Sequence, residues 1–197
     1  MILKILIKII KIILRKMTIN KLLNRLKEHD MITYEHSMRV GRLSSIVGRE
    51  IGLTRSDIQH LFVVGSLHDI GKLKISPELL NSGELTKEQF EEMKKHPQYS
   101  LDILKDYTKL IPSEYYSGII GHHEWKKEGY PRKKPRQTAH SHLDQIVASC
   151  DIVDALFSKR SYKSAMSKKI VKEIAEMEFT GNKYYLEKSI DLYSKIT

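Results

Sequence analysis

From Thr18 onward the apolar residues of this 197-residue chain recur at intervals of three and four, and no stretch alternates convincingly at every second position. That spacing lines one face of a 3.6-residue helix, whereas a half-buried strand needs a period of two, so the pattern predicts an all-α fold. Ile19, Leu22, Leu23 and Leu26 make one face, and Val40, Leu43, Val47 and Ile51 make another before Gly52 stops the helix. Thr54 or Ser56 can cap the next helix, whose Ile58, Leu61, Phe62 and Gly65 run into Leu67-His68-Asp69. Pro77, Thr86, Pro97 and Pro112 punctuate shorter helices, and helices resume at about 143–157, 167–179 and 185–196. The segment 124–142, with Gly129, Pro131 and Pro135, is the one long loop, and long ordered loops in compact domains are usually functional.

The first sixteen residues, MILKILIKIIKIILRK, stand apart. Lys4, Lys8, Lys11 and Arg15 are spaced by four, three and four, which places them on one narrow stripe of a helix. No apolar run here exceeds three residues, so neither a spanning helix of ~20 apolar residues nor a signal-peptide core is present. A cytoplasmic chain is expected. A wide apolar face with a basic stripe can lie on an anionic membrane, here the inner membrane face, or pack on its own domain or a partner. Met17 offers an alternative start. The chain thus divides into 1–16, a basic amphipathic helix, and 17–197, one globular domain.

Thirty-four Lys and Arg against 24 Asp and Glu leave a net charge of +10, which favours anionic partners, although no nucleic-acid reading motif accompanies it. The single cysteine, Cys150, excludes an internal disulfide and a thiolate metal site, so any metal must be held by nitrogen and oxygen. Nine histidines are present, and His36, His68, His96 and the pair His122-His123 sit in distinctive contexts. A lone histidine on an apolar face is more often a core residue than a ligand. Five imidazoles with Asp69 and Asp151, however, form the ligand set of a mixed N/O site for Fe, Mn, Zn or Co. They are too many for one open ion, which takes three or four protein ligands, so two ions are expected, bridging a hydroxide for in-line attack on a phosphodiester. Asp69 is placed to bridge, and Lys72, three residues on, to meet a phosphate oxygen. His29, His60, His140 and His142 read as surface or structural residues, Cys150 as a small core residue, and Trp125 as closing the loop rather than stacking on a base.

The same residues carry a family resemblance. The chain resembles the HD-GYP domains, a branch of the HD metal-dependent phosphohydrolases. The likeness runs in order from about 26 to 166 through His36-Ser37-Met38-Arg39-Val40, His68-Asp69-Ile70-Gly71-Lys72, Gly83-Glu84-Leu85, His96-Pro97, His122-His123-Glu124, Gly129-Tyr130-Pro131, Asp151-Ile152-Val153-Asp154-Ala155-Leu156 and Ser158-Lys159-Arg160-Ser161-Tyr162-Lys163. It implies an HD-domain helical bundle with a long GYP loop and hydrolysis of cyclic di-GMP to pGpG and/or GMP at an iron or manganese centre. It implies metal ligands at His36, His68, Asp69, His96, His122, His123 and Asp151, with Lys72 and Asp69 at the chemistry. Lys72, Tyr130, Arg160 and Lys163 would face the substrate, and Asp154 would steady a ligand histidine. In some members the loop also meets a diguanylate cyclase domain.

The chain departs from the pattern at several points. Ile32 stands where three-metal members carry Glu, which favours two ions. Trp125-Lys126-Lys127-Glu128 is one residue short and lacks the customary Asp-Gly, and Ser100, Gln145 and Ser161 replace Gly, Arg and Pro. The competing expectations are another cyclic dinucleotide or nucleotide as substrate, or a non-catalytic module that binds the dinucleotide or docks a partner.

Overall fold

The computed structural model describes residues 2–135, 137–158 and 166–196. Its helices are α1 (Ile2–His29), α2 (Met31–Glu50), α3 (Arg55–Leu67), α4 (Pro77–Leu80), α5 (Lys87–Met93), α6 (His96–Leu104), α7 (Tyr116–Gly121), α8 (Ser141–Phe157), α9 (Lys168–Glu178) and α10 (Lys183–Leu192), joined by short 3-10 turns. Among the described residues the sole strand-like feature is one antiparallel bridge, between Lys126 and Phe179. The all-α expectation holds.

Local chemistry sets the helix starts. The Asp30 carboxylate accepts from the Thr33 amide at the head of α2, and the Thr54 hydroxyl, rather than Ser56, accepts from the Asp57 amide at the head of α3. At α5, Thr86 and Gln89 satisfy each other's backbone amides in a capping box. Proline enters the first turns of α4 and α6, where its missing N–H costs nothing.

The core lies where α2, α3 and α8 meet. Leu22 and Leu26 of α1, Val40, Leu43 and Val47 of α2, Leu61, Val64 and Leu67 of α3, and Leu143, Ile146 and Val147 of α8 are fully buried. Each such side chain contributes about 1.5–3 kcal/mol by leaving water. The apolar faces read from the sequence are therefore the ones that pack.

One contact in this core fixes the geometry of everything at its end. A Cβ on Gly65 would stand 2.8 Å from the Gly41 Cα, and one on Gly41 would stand 2.9 Å from the Phe62 carbonyl. Helices α2 and α3 thus touch backbone to backbone, and this close crossing draws His36 of α2 and His68, just past α3, together with ring centroids 5.2 Å apart.

Helix α1 runs through Met17 without a break. Its second half is docked by Ile19, Leu22, Leu23 and Leu26, while residues 3–14 are exposed on every side. Arg15 marks the change, its Nε donating to the Leu110 carbonyl at 2.8 Å. His60 is buried against Tyr115 and His140, and the His29 ring bonds the Ile75 carbonyl, so both are structural.

The Gly41–Gly65 contact yields a stability test. Gly65→Ala should cost about 1–3 kcal/mol, the usual toll of overpacking, and lower the thermal midpoint followed by circular dichroism. A variant melting with the wild type would mean that the two helices are not in backbone contact.

Candidate metal centre

Three histidines reach the site from helix ends, each aimed the same way. The Nδ1–H of His68 donates to the Gly65 carbonyl at 2.7 Å, that of His96 to Met93 at 2.8 Å and that of His122 to Ile119 at 2.8 Å. In every case the acceptor is the carbonyl three residues back, which can only accept. The proton is thereby fixed on Nδ1 and the Nε2 lone pair is turned inward, the arrangement by which a second partner orients a ligand histidine.

Two groups of donors result: His36, His68 and Asp69, and His96, His122 and His123, the donor atoms of each group lying within 4.8 Å of one another. Two carboxylates span them. Asp69 Oδ2 lies 3.4 Å from His68 Nε2 and 3.8 Å from His36 Nε2, while its Oδ1 lies 3.3 Å from His96 Nε2 and 3.9 Å from His122 Nε2. Asp151, in the middle of α8, puts Oδ1 at 3.1 Å from His36 Nε2 and 3.8 Å from His68 Nε2, and Oδ2 at 3.7 Å from His123 Nδ1. All seven residues named as ligands from the sequence thus converge.

The donor set fits metal ions. His68 Nε2, Asp69 Oδ1, His123 Nδ1 and Asp151 Oδ2 are buried without a hydrogen-bond partner. His96 Nε2 and His122 Nε2 face each other at 3.2 Å. Since both rings have committed their protons to carbonyls, two lone pairs oppose there, an arrangement that a cation between them would relieve. Protonation states agree at three of the histidines, while His36, between two carboxylates, is pushed the other way and would have to give up its Nε2 proton to bind a metal. Burial pushes His96 down to about 4 and holds His122 and His123 well below the usual imidazole range, leaving them neutral. Burial opposes the charge of Asp69, but Lys72 and His68 outweigh it and keep the carboxyl well below its ordinary value. Burial also opposes the charge of Asp151, and Lys126 and the His36 hydrogen bond overcome it. Neutral imidazoles and ionised carboxylates are the forms that bind metal.

His36 is held from behind. Its Nδ1 lies 2.7 Å from Asp154 Oδ2, and Asp154 is itself gripped by Arg39 Nε at 2.8 Å, the Ser158 hydroxyl at 2.9 Å and the Tyr193 hydroxyl at 3.0 Å. Burial works against both charges, yet the mutual bonds keep Asp154 down at about 2 and, with Asp151, raise His36 to about 9. Sequence reasoning named Asp154 but missed these three partners, Ser158 being its near neighbour at the end of α8. Arg39, three residues after His36 on the same helix, was visible as a spacing, whereas Tyr193, 39 residues beyond Asp154, left no local signal.

The turn after Asp69 is seated on α6. The Gly71 amide donates to Ser100 Oγ at 2.9 Å, and a Cβ on Gly71 would collide with the His96 carbonyl and stand 2.5 Å from the Ser100 amide. Ser100, noted from the sequence as a departure, is therefore a tether between the two ligand-bearing segments. The Lys72 ammonium lies 2.7 Å from Asp69 Oδ2. Tyr130 lies over His123, ring centroids 4.5 Å apart, with Glu124 and Arg132 paired at 2.8 Å on the same loop. Trp125 is buried in the core, where it packs inside the domain rather than standing free to stack on a base. Arg160 and Lys163 fall outside the described residues. A cleft of about 250 Å³ opens beside the centre, lined by His36, Arg39, Lys72, Phe90, Met93 and Ser158 among others, with Ile32 in its wall.

The chain is similar to known proteins. Residues 33–156 match the HD domain family. A cyclic di-GMP phosphodiesterase of Thermotoga maritima is 36% identical over 180 residues, covering 89% of this chain and 48% of that protein. A 3'3'-cGAMP-specific phosphodiesterase of Vibrio cholerae is 33% identical over 149 residues, covering 74% of this chain and 31% of that protein. The chain thus spans from a third to a half of the length of these relatives. In fold, it resembles the HD domain of the L. monocytogenes phosphodiesterase PgpH, solved in complex with cyclic-di-AMP, with a TM-score of 0.60 at 20% identity over 89% of this chain and 95% of that one. With the match spanning every residue that builds the centre, from His36 to Asp151, the chain belongs to the HD domain family.

Proposed function

We propose that the chain is a metal-dependent phosphodiesterase that hydrolyses cyclic di-GMP to pGpG and/or GMP. The observation that carries this reading is the pair of carboxylates, Asp69 and Asp151, each with one oxygen toward each histidine group. His36, His68 and Asp69 would hold one ion and His96, His122 and His123 the other, with Asp69 and Asp151 spanning both. Two divalent first-row ions, iron or manganese, would supply Lewis-acid stabilisation of phosphoryl oxygens and acidify water at neutral pH. Another cyclic dinucleotide is the second reading, favoured by the relative named for 3'3'-cGAMP and by the HD domain solved with cyclic-di-AMP.

The chain's own residues do the positioning. Asp154, braced by Arg39 and Tyr193, fixes the ring of His36. Lys72 stands at the rim of the cleft and can offer its ammonium to a non-bridging phosphate oxygen without leaving the neighbourhood of Asp69. Tyr130 shields the His123 side of the centre from water and gives a base or sugar a flat surface. Arg160 and Lys163 would grip phosphate or guanine, as the family resemblance implies.

Purified protein should hold about two first-row ions per chain, and His68→Ala, Asp69→Ala or His122→Ala should lose metal and cyclic di-GMP turnover together. Metal analysis of aerobic and anaerobic preparations, paired with turnover assays on a panel of cyclic dinucleotides, checks this; hydrolysis by metal-free protein would overturn it.

Lys72→Ala separates charge at the phosphate from charge at the ions. Metal content should survive while turnover falls ~10²–10³-fold, the usual cost of one transition-state contact. A fully active variant would remove Lys72 from the mechanism.

The free half of α1 is assigned to an anionic membrane surface. No helix among the described residues is long and apolar enough to cross a membrane. Ile5, Ile9, Ile12 and Ile13 are each about half exposed, and Lys4, Lys8 and Lys11 run alongside them with no acidic residue before Glu28. Each basic residue at such a surface is worth about 1 kcal/mol and is screened by salt. The full chain should sediment with phosphatidylserine vesicles at low salt and be released as salt rises, and a chain lacking residues 1–16 should stay in solution with turnover intact. Full-length protein that ignores vesicles, or self-association through this helix, would rule the membrane out.

A further inference from the structure

The shortened segment before Tyr130 carries a residue that neither the ligand set nor the loop explains. Lys126 Nζ lies 3.3 Å from Asp151 Oδ2, much as Lys72 Nζ lies 2.7 Å from Asp69 Oδ2. Each spanning carboxylate therefore has one ammonium beside it, and the two lysines come from different segments, the turn after α3 and the loop after α7.

Lys126 is not a surface lysine that happens to swing inward. Its backbone forms the antiparallel bridge with Phe179, the Lys127 amide donates to the Glu178 carbonyl at 2.9 Å, and the Thr180 amide donates to the Trp125 carbonyl at 2.9 Å. With Trp125 buried in the core and Lys127 exposed, the short extended stretch has its register set by packing as well as by hydrogen bonds. The Lys126 side chain is 24% exposed, so it is largely covered without being sealed from the outside.

We propose that Lys126 is a second phosphate-contacting residue, acting on the Asp151 side of the centre as Lys72 acts on the Asp69 side. The proposal rests on the phosphodiesterase reading and extends it to how the anion is gripped. With a cation bound, Asp151 would hold Lys126 less strongly, and a lysine ammonium is a compact charge with three rotatable donors that can turn to a phosphate oxygen. Substrate phosphate then enters between two ammonium groups fixed on opposite segments.

The full chain should be compared with Lys126→Gln and Lys126→Arg, with metal content, inorganic phosphate titrated into the metal-loaded protein by calorimetry, and KM and kcat for cyclic di-GMP as readouts. The proposal expects Lys126→Gln to retain its metal, bind phosphate about tenfold or more weakly, as loss of a charge-assisted hydrogen bond implies, and raise KM in parallel, with Lys126→Arg recovering most of both. Lys126→Gln that binds phosphate like the wild type overturns it. So does a variant that binds metal more tightly at unchanged KM, since Lys126 would then be only a counter-ion for Asp151, or one that loses metal. Should wild-type protein fail to hydrolyse any cyclic dinucleotide, the phosphodiesterase reading falls, and the phosphate titration still decides the role of Lys126.

Discussion

Asp69 and Asp151 are ionised carboxylates buried almost completely inside a helical core, and the arrangement around them follows from that cost. An isolated buried charge is strongly unfavourable unless it meets opposite charge or strong donors. Here each carboxylate is flanked by imidazoles and one ammonium, and each retains one oxygen without a hydrogen-bond partner. Those oxygens, together with the opposed lone pairs of His96 and His122, are what divalent cations would satisfy. The fold holds together a group of residues that would repel or desolvate one another if brought together without cations.

Holding them requires rigidity that no single helix supplies. The glycine contact between α2 and α3 sets the distance between His36 and His68, while the Gly71–Ser100 hydrogen bond seats the Asp69 turn on α6 and so relates His68-Asp69 to His96. Backbone carbonyls at helix ends then choose the tautomers. The ligand geometry is thus written mainly in main-chain contacts, which vary less with side-chain motion than a network of long side chains would. Asp154 is the exception, a buried carboxylate that works through side chains only, with Arg39, Ser158 and Tyr193 converging on it from three segments.

The two ends of α1 show how the same periodicity serves two environments. Past Arg15 the apolar face meets the domain and is buried; before it, the apolar residues of 3–14 are all exposed. A free helix of this length is marginal in water by itself, which is why a covering surface, rather than propensity, is the natural account of its composition.

Much of the protein could be read in one dimension. The three-and-four spacing of Leu22, Leu26, Val40, Leu43 and Val47 determined helices and their buried faces, because burial selects a period and a period is local. The donor types were equally legible, since a chain with a single cysteine leaves His and Asp to make any N/O site, and the structure brings these residues together in two donor groups. What the sequence could not contain was the pairing of segments distant along the chain. That Ser100 receives the Gly71 amide depends on how the turn after α3 packs on α6, and that Tyr193 bonds Asp154, that Lys126 comes to Asp151 and that Trp125 belongs to the core depend on how the C-terminal helices pack on the rest of the domain. Those contacts were decided by tertiary packing, because a hydrogen bond between residues far apart in the chain has no period, and only the folded backbone brings its two ends within 3 Å.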